Sequence, residues 1–248
     1  MRAMIFAAGL GTRLRPLTDA KPKALIEIGN KTLLEWQIAK LREAGITDIV
    51  VNVHHFPDLI IDYLRAHDNF GCSVSVSDER DRLLDTGGGL RRVVKNMKLD
   101  KEGILALNVD ILSNVDIQAL VQAYEQDGVS RLVVSERDTA RYLLFNDRQN
   151  LVGWTNVTTG EVKPSAILDN SRGISSYGQL AFSGMQILSP RVCARLIDRK
   201  EESFSLIDFY LDICQKEMLK AYIPQHYRMF DVGKYDRLPE AERFAASL

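Results

Sequence analysis

The chain has 248 residues, of which 46% are hydrophobic and 26% are charged. This composition is typical of a globular protein with an ample core and excludes a disordered chain. Its 32 Lys and Arg residues balance 33 Asp and Glu residues, so the net charge of -1 offers no bulk attraction to nucleic acid or to an anionic membrane. We therefore expect any anionic ligand to be bound by locally placed charges.

The N-terminal apolar stretch MIFAAGL is too short to cross a membrane and is followed at once by a glycine-rich basic stretch. Cys72, Cys193 and Cys214 are far apart in sequence and form no CxxC pair, which argues against a disulfide framework or a zinc site. These features predict a protein of the reducing cytoplasm.

Short apolar runs alternate with helical patterns in the first half, as is typical of βαβ units around a parallel sheet. We predict strands at residues 3–8, 48–53, 73–77, 104–108 and 131–134. Thr32 and Glu35 form a capping box for a first helix that stops at Gly45. Further helices are predicted at 58–66, after Gly89, and at 116–125.

In the second half, residues 142–186 contain short strand-like pieces broken by Asn, Asp, Gly and Pro, which predicts an antiparallel insertion. Helices beginning near Pro190 and Ser205, a strand at 220–224 and a helix at 235–246 complete the chain. We predict one α/β domain over residues 1–248, with a Rossmann-like, mixed and mainly parallel central sheet flanked by helices. A small antiparallel lobe falls within about 140–187.

The densest chemical pattern is AGLGTRLRPLT after the first predicted strand, followed closely by KPK. Open parallel α/β sheets bind ligands where strands end. Glycines let backbone N–H groups approach phosphate oxygens, Thr12 adds a hydroxyl, and Arg13 and Lys23 supply positive charge. A Walker A loop is absent, and Leu14 stands where the dinucleotide fingerprint needs glycine. The loop suits a triphosphate, whereas the alternative is an ordinary turn with solvated cations.

The string GLGTRLRPLT with KPKAL resembles the signature of the sugar-phosphate nucleotidyltransferase family. Four further segments resemble motifs of this family and occur in the family's order: LDTGGGL, NVD, FSGMQ and FDVGKYDRL. The resemblance implies a nucleotide-diphospho-sugar transferase fold and transfer of a nucleoside monophosphate from an NTP to a sugar 1-phosphate, with Mg²⁺ as cofactor. The DTGGGL form and the short length resemble a compact subfamily of uridylyltransferases acting on N-acetylmuramate 1-phosphate and guanylyltransferases acting on heptose or mannose phosphates.

The resemblance also implies roles for individual residues. Arg13 and Lys23 are the expected catalytic residues, and Asp110 and Asp231 the expected metal ligands. The expected sugar-binding residues are Asn108, Ser183 and Gly184. The expected nucleotide-binding residues are Ala8, Gly9, Gly11, Thr12, Arg13, Gly87 and Gly88. A run of three glycines is costly at a helix start, so we expect a ligand close to that backbone.

Some polar residues have a structural alternative that the sequence favours. The sequence around Glu79 is more typical of a solvated loop than of a base-binding site. His54 and His55 are more typical of a helix cap or an exposed surface than of a substrate-binding site. Asp208 lies in a stretch that fits core or subunit contact better than sugar binding. The sequence leaves open the base, the sugar, the oligomeric state and the alternative of a non-catalytic nucleotide-sugar-binding regulator.

Overall fold

The computed structural model describes residues 1–97, 102–169 and 173–248. In these ranges the strands are β1 (Arg2–Phe6), β2 (Glu27–Ile28), β3 (Lys31–Thr32), β4 (Asp48–Val53), β5 (Ser73–Asp78), β6 (Ile104–Asn108), β7 (Ile111–Ser113), β8 (Ser130–Ser135), β9 (Arg141–Phe145), β10 (Leu151–Asn156), β11 (Glu161–Lys163), β12 (Gly178–Leu188), β13 (Leu219–Tyr222) and β14 (Met229–Asp231). The α-helices are α1 (Leu33–Glu43), α2 (Pro57–Ala66), α3 (Asp85–Asn96), α4 (Ile117–Glu125), α5 (Pro190–Asp198), α6 (Leu206–Ile213) and α7 (Leu238–Ala245).

A central sheet runs in the order β5-β4-β1-β6-β12-β8-β13. The first four of these strands are mutually parallel, β12 is antiparallel to both β6 and β8, and β13 is parallel to β8. The first part of β12 also pairs with β9, which continues antiparallel into β10 and β11. The predicted mixed, mainly parallel α/β fold with a small antiparallel part is therefore confirmed.

Alternation along β1 divides the core into two layers. Ala3 and Ile5 pack with α1, α2, α4 and α7 on one face, whereas Met4 and Phe6 pack with α3, α5 and α6 on the other. Successive side chains of a strand point to opposite faces, so a strand covered by helices on both sides must be apolar throughout. The core thus holds the carboxyl ends of β1 and β6 at one edge of the sheet.

Local hydrogen bonds explain where several helices begin. Thr32 accepts a bond from the Glu35 N–H at α1, as the capping box predicts, and Ser189 does the same for the Val192 N–H at α5. Ser205 caps α6 through the Ile207 N–H. The predicted starts of these helices are confirmed.

Two predicted helices differ from the structure. Helix α3 begins at Asp85 and contains the glycine run, whereas the sequence predicted a helix after Gly89. The predicted helix at 235–246 is a short 3₁₀ segment, Tyr235–Arg237, followed by α7. Pro239 lies in the first turn of α7, where its missing N–H costs nothing.

The predicted antiparallel lobe includes positions 170–172, which lie outside the described residues. The prediction of a single domain stays a prediction.

None of the helices in the three described ranges is long and apolar enough to span a lipid bilayer.

Candidate active site

Two adjoining cavities open where β1 and β6 end. The first, of about 440 Å³, is lined by Gly11, Thr12, Arg13, Lys23, Asn108 and Asp110 among others. The second, of about 320 Å³, is lined by Ala8, Asn52, Asp85, Thr86 and Ser203 among others. Phe6, Gly9, Leu83 and Thr86 are common to both walls. Most of the residues selected from the sequence therefore meet at one sheet edge.

The glycine-rich loop after β1 is held in a conformation that requires glycine at position 11. Gly11 has a φ of 63°, and a Cβ there would lie 2.8 Å from Thr18 Cγ2. The Thr18 hydroxyl donates to the Gly11 carbonyl at 2.9 Å, and the Leu14 N–H donates to the same oxygen at 2.8 Å. The loop is thus fixed by its own bonds, with Thr12 and Arg13 exposed toward the first cavity.

Lys23 and Asp110 form an ion pair in the floor of the first cavity. Lys23 Nζ donates to Asp110 Oδ2, and the two side chains are only 10% and 20% exposed. A partly buried charge-assisted bond fixes both groups more firmly than an exposed pair would. An ionised carboxylate has more than one acceptor site on its two oxygens, so Asp110 keeps acceptor capacity for a ligand while it pairs with Lys23.

Asp231 is brought beside Asp110 by a two-stranded ladder. In the β7–β14 pair Asp231 lies opposite Ile111, and the Val232 N–H donates to the Asp110 carbonyl at 2.9 Å. Loss of hydration raises the pKa of Asp231, and the Asp110 charge raises it further, whereas Lys23, Arg13 and Arg137 act in the opposite direction. Two carboxylates that repel each other in this way suit a shared divalent cation.

The donor set fits magnesium better than a metal held by protein alone. No group of three or more His, Cys, Asp or Glu side chains with metal-binding geometry occurs in residues 1–97, 102–169 and 173–248. Mg²⁺ commonly binds one or two carboxylates, keeps several waters and takes further oxygens from substrate phosphates. The two carboxylates of Asp110 and Asp231 match the protein's share of such a site, and magnesium binding by them stays a prediction.

Arg13 reaches toward the same carboxylates from the glycine-rich loop. Its Nη2 atom would lie 3.1 Å from a Cβ at Gly233, and Asp231 Oδ1 would lie 2.6 Å from that position. A side chain at 233 would therefore push against both groups. Arg13 and Asp231 therefore lie close together at this edge of the sheet, and their roles as catalytic residue and metal ligand stay predictions.

A buried glutamine on α1 supports the Asp110 turn. Gln37 is 2% exposed, and its Nε2 atom donates to the carbonyls of Val109 and Ile111 at 3.3 Å and 2.9 Å. These carbonyls flank Asp110 on both sides. Sequence reasoning missed Gln37 because its helical spacing resembles that of an ordinary polar residue on α1.

Gly87 and Gly88 are buried inside α3, where they pack against residues 202–204. A Cβ at Gly87 would collide with the Phe204 ring and carbonyl, and one at Gly88 with the Glu202 carbonyl. The Gly87 N–H donates to Phe204 O at 2.8 Å. The group that lies close to these two glycines is therefore the backbone of residues 202–204 of the same chain. Nucleotide binding by Gly87 and Gly88 stays a prediction. Thr86, one residue earlier, lines both cavities.

Asn108, Ser183 and Gly184 meet at a bulge in β12. Pairing with β8 is interrupted between Phe182 and Gln186, and Gly184 has a φ of 71°. A Cβ at Gly184 would lie 2.8 Å from Asn108 Nδ2, so glycine here admits the Asn108 side chain. Asn108 lines the first cavity, whereas Ser183 is only 1% exposed. Sugar binding by these three residues stays a prediction.

The expectation that Glu79 belongs to a solvated loop is wrong. Glu79 is 1% exposed and accepts bonds from Asn52 Nδ2 at 2.8 Å and from the Leu84 N–H at 3.2 Å. Burial raises the pKa of this carboxyl, and the two bonds act in the opposite direction. Asn52 in turn accepts the Ala7 N–H at 2.8 Å, so Glu79 ties the end of β4 to the loop before α3.

The remaining polar candidates lie outside both cavities. His54 Nδ1 lies 2.7 Å from the Glu79 carbonyl and His55 Nε2 lies 3.2 Å from the Thr18 carbonyl. Asp208 is exposed on α6, 3.8 Å from Lys163 Nζ, and its neighbours Phe209 and Tyr210 are core residues, as the sequence favoured. Contact of these groups with substrate remains untested.

Comparison with known proteins gives a consistent result. Residues 2–247 match the family described as nucleotidyl transferase. The chain is 31% identical over 215 residues to N-acetylmuramate alpha-1-phosphate uridylyltransferase of Caulobacter vibrioides, covering 84% of this chain and 82% of that protein. It is 28% identical over 239 residues to mannose-1-phosphate guanyltransferase of Kluyveromyces lactis, covering 94% of this chain and 62% of that protein.

Solved structures share the fold. HddC from Yersinia pseudotuberculosis complexed with GMP-PN superposes with a TM-score of 0.75 at 20% identity, covering 98% of this chain and 99% of that one. A UDP-glucose pyrophosphorylase complexed with UDP-glucose gives a TM-score of 0.77 at 17% identity, with 99% and 98% covered. At these identities the likeness establishes the fold alone.

Proposed function

Because the chain belongs to the nucleotidyl transferase family, we propose that its cleft transfers a nucleoside monophosphate from an NTP to a sugar 1-phosphate, releasing pyrophosphate. The observation that carries this proposal is the meeting of Arg13, Lys23, Asp110 and Asp231 at the carboxyl ends of the central strands. We further propose UTP and N-acetylmuramate 1-phosphate, or a related sugar 1-phosphate, as the substrates. The Caulobacter relative supports that choice.

The reaction requires no covalent intermediate. An oxygen of the sugar 1-phosphate attacks the α-phosphorus of the NTP, the bond from that phosphorus to the β-phosphate oxygen breaks, and pyrophosphate leaves. Alignment of the two phosphates and neutralisation of the growing charge supply the catalysis. The side chains needed are cations and metal ligands: Arg13, Lys23 and Asp110 line the first cavity, and the β7–β14 ladder places Asp231 beside Asp110.

Each side chain has a distinct part in this mechanism. Arg13, which lines the first cavity, binds the leaving β- and γ-phosphates, and Lys23 neutralises charge at the α-phosphate. Asp110 and Asp231 would hold magnesium, which when bound would neutralise phosphate charge and bring the two substrates together.

The enzyme acts in the cytoplasm on precursors of cell wall or polysaccharide, with no nucleic acid or membrane as a partner.

A second candidate is guanylyl transfer to mannose or heptose 1-phosphate. Asp85, an exposed residue at the second cavity whose Oδ1 accepts the Thr86 N–H at 2.6 Å, favours it, because its carboxylate keeps acceptor sites for the two neighbouring N–H donors of guanine. Uracil offers one such donor. The Kluyveromyces relative adds support for this alternative.

Pyrophosphate release from each NTP paired with each sugar 1-phosphate tests the proposal, with thermal unfolding in UTP, GTP, dTTP or CTP plus magnesium as the binding measurement. Release with UTP and N-acetylmuramate 1-phosphate is the expected result. A thermal shift and turnover with GTP alone would select the second candidate. Absence of pyrophosphate with every pair would contradict catalysis and favour a nucleotide-sugar-binding regulator.

A further inference from the structure

A cationic side chain outside the sequence motifs lies at the same sheet edge as the cleft. Arg137 follows the end of β8 by two residues. Strands β8 and β6 are both antiparallel to β12, so their carboxyl ends lie on the same side of the sheet. Arg137 therefore occupies the kind of position that places Asp110 after β6.

Arg137 is anchored by one bond and has donors to spare. Its Nη2 atom donates to the Phe182 carbonyl at 3.1 Å, and the side chain is exposed. A guanidinium group has five N–H donors, so this bond orients the group without satisfying it. Across residues 1–97, 102–169 and 173–248, Arg137 forms no salt bridge with a carboxylate.

The anchor connects Arg137 to the metal-ligand candidates through a short series of contacts. Phe182 precedes the bulge at Gly184, and a Cβ at Gly184 would touch both Asn108 and Ile111. Ile111 lies opposite Asp231 in the β7–β14 ladder.

The charges around the two aspartates leave room for an additional anion. Arg13 approaches from the glycine-rich loop, Lys23 is paired with Asp110, and Arg137 approaches from the antiparallel strands. We infer that Arg137 binds an oxyanion of the sugar 1-phosphate on the side of Asp231 next to the β12 bulge. Arginine suits this role because its planar fork matches phosphate and carboxylate oxygens. The inference rests on the proposed function.

Steady-state kinetics of Arg137→Gln tests the inference. We expect the KM for the sugar 1-phosphate to rise about 10- to 100-fold, the loss typical of charged hydrogen bonds, with the KM for the NTP within twofold of wild type. Arg137→Lys should restore part of the loss. Arg148→Gln is the matched control, since Arg148 is an exposed arginine in the turn between β9 and β10, at the far end of β9. Thermal unfolding should be unchanged in all three variants.

Two sugar substrates identify the anion. An equal loss with N-acetylglucosamine 1-phosphate and N-acetylmuramate 1-phosphate assigns Arg137 to the 1-phosphate, and a loss confined to N-acetylmuramate 1-phosphate assigns it to the carboxylate of that sugar. A KM within twofold of wild type for both sugars would overturn the inference while leaving the proposed function intact. A wild-type protein that turns over no sugar 1-phosphate would instead contradict the proposed function.

Discussion

Two arginines in one loop, Arg13 and Arg15, illustrate how position decides chemistry. Arg13 lines the first cavity and lies beside Asp231, whereas Arg15 forms an exposed pair with Asp19 at 3.2 Å. Exposed pairs of this kind contribute about 0–1 kcal/mol to stability. The two side chains have the same charge and differ only in what they can reach.

Arg13→Ala should therefore lower kcat/KM for pyrophosphate release by about 10²–10³, the usual cost of removing one donor to a developing phosphate charge. Arg15→Ala is the control and should stay within twofold of wild type. Steady-state rates at saturating magnesium provide the measurement. Equal effects of the two substitutions would show that Arg13 has no special part in the reaction.

At the level of single residues, the sequence identified those that follow strand ends in recognisable motifs. Arg13, Lys23, Asn108 and Asp110 all line the first cavity. Gln37 was missed because it acts through bonds to distant carbonyls, which no local pattern reveals. For Arg137 a signal existed, since it follows a predicted strand end as Asp110 does.

Helix α3 shows why a glycine run was misinterpreted as a loop. Three glycines weaken an isolated helix, so local propensity predicts a later start. Tertiary packing overrides this preference, because residues 202–204 approach too closely for a side chain at Gly87 or Gly88. Sequence spacing contains no information about that approach.

Substituting Gly87→Ala should destabilise the protein by about 1–3 kcal/mol, because the added methyl group must displace Phe204. Chemical denaturation measures the loss. Lys95→Ala, an exposed change on the same helix, should change the free energy of unfolding by less than about 0.5 kcal/mol. If Gly87→Ala matched the control, packing would not explain the glycine.

Helix α1 acts on the cleft through Gln37. Gln37→Leu would leave the buried carbonyls of Val109 and Ile111 without a donor, which should cost about 1–3 kcal/mol of stability. The magnesium concentration needed for half-maximal activity should also rise, because the Asp110 turn loses its support.

Gln118→Leu provides the same chemical change at an exposed position of α4 and should alter neither property. If Gln37→Leu lowered the free energy of unfolding but left the magnesium requirement unchanged, Gln37 would have only a structural role.

For the whole molecule, near neutrality of charge coexists with a cationic cleft. The net charge of -1 gives no attraction for anions at long range, yet Arg13, Lys23 and Arg137 are gathered around two aspartates. The sheet produces this grouping by bringing several carboxyl ends to one edge. The alternation of strands and helices was sufficient to predict the sheet, but not the β7–β14 ladder, whose strands are only three residues long.

Lys40 makes the free energy of unfolding depend on pH in the alkaline range. Burial lowers the pKa of Lys40 from its ordinary value of 10.5 to about 8, while Glu43 acts in the opposite direction. Between these values the unfolded chain binds the proton that the folded chain has lost, so stability rises with pH. Relative to Lys40→Met, the wild-type free energy of unfolding should increase from pH 8 to pH 10.5. A constant difference across this interval would show that Lys40 titrates normally.

Magnesium-dependent pyrophosphate release from UTP and N-acetylmuramate 1-phosphate, by wild type and by Asp110→Asn, tests the proposed reaction most directly. We expect turnover by wild type and a loss of at least about 10²-fold in the variant at saturating magnesium. Undiminished turnover by Asp110→Asn would contradict it.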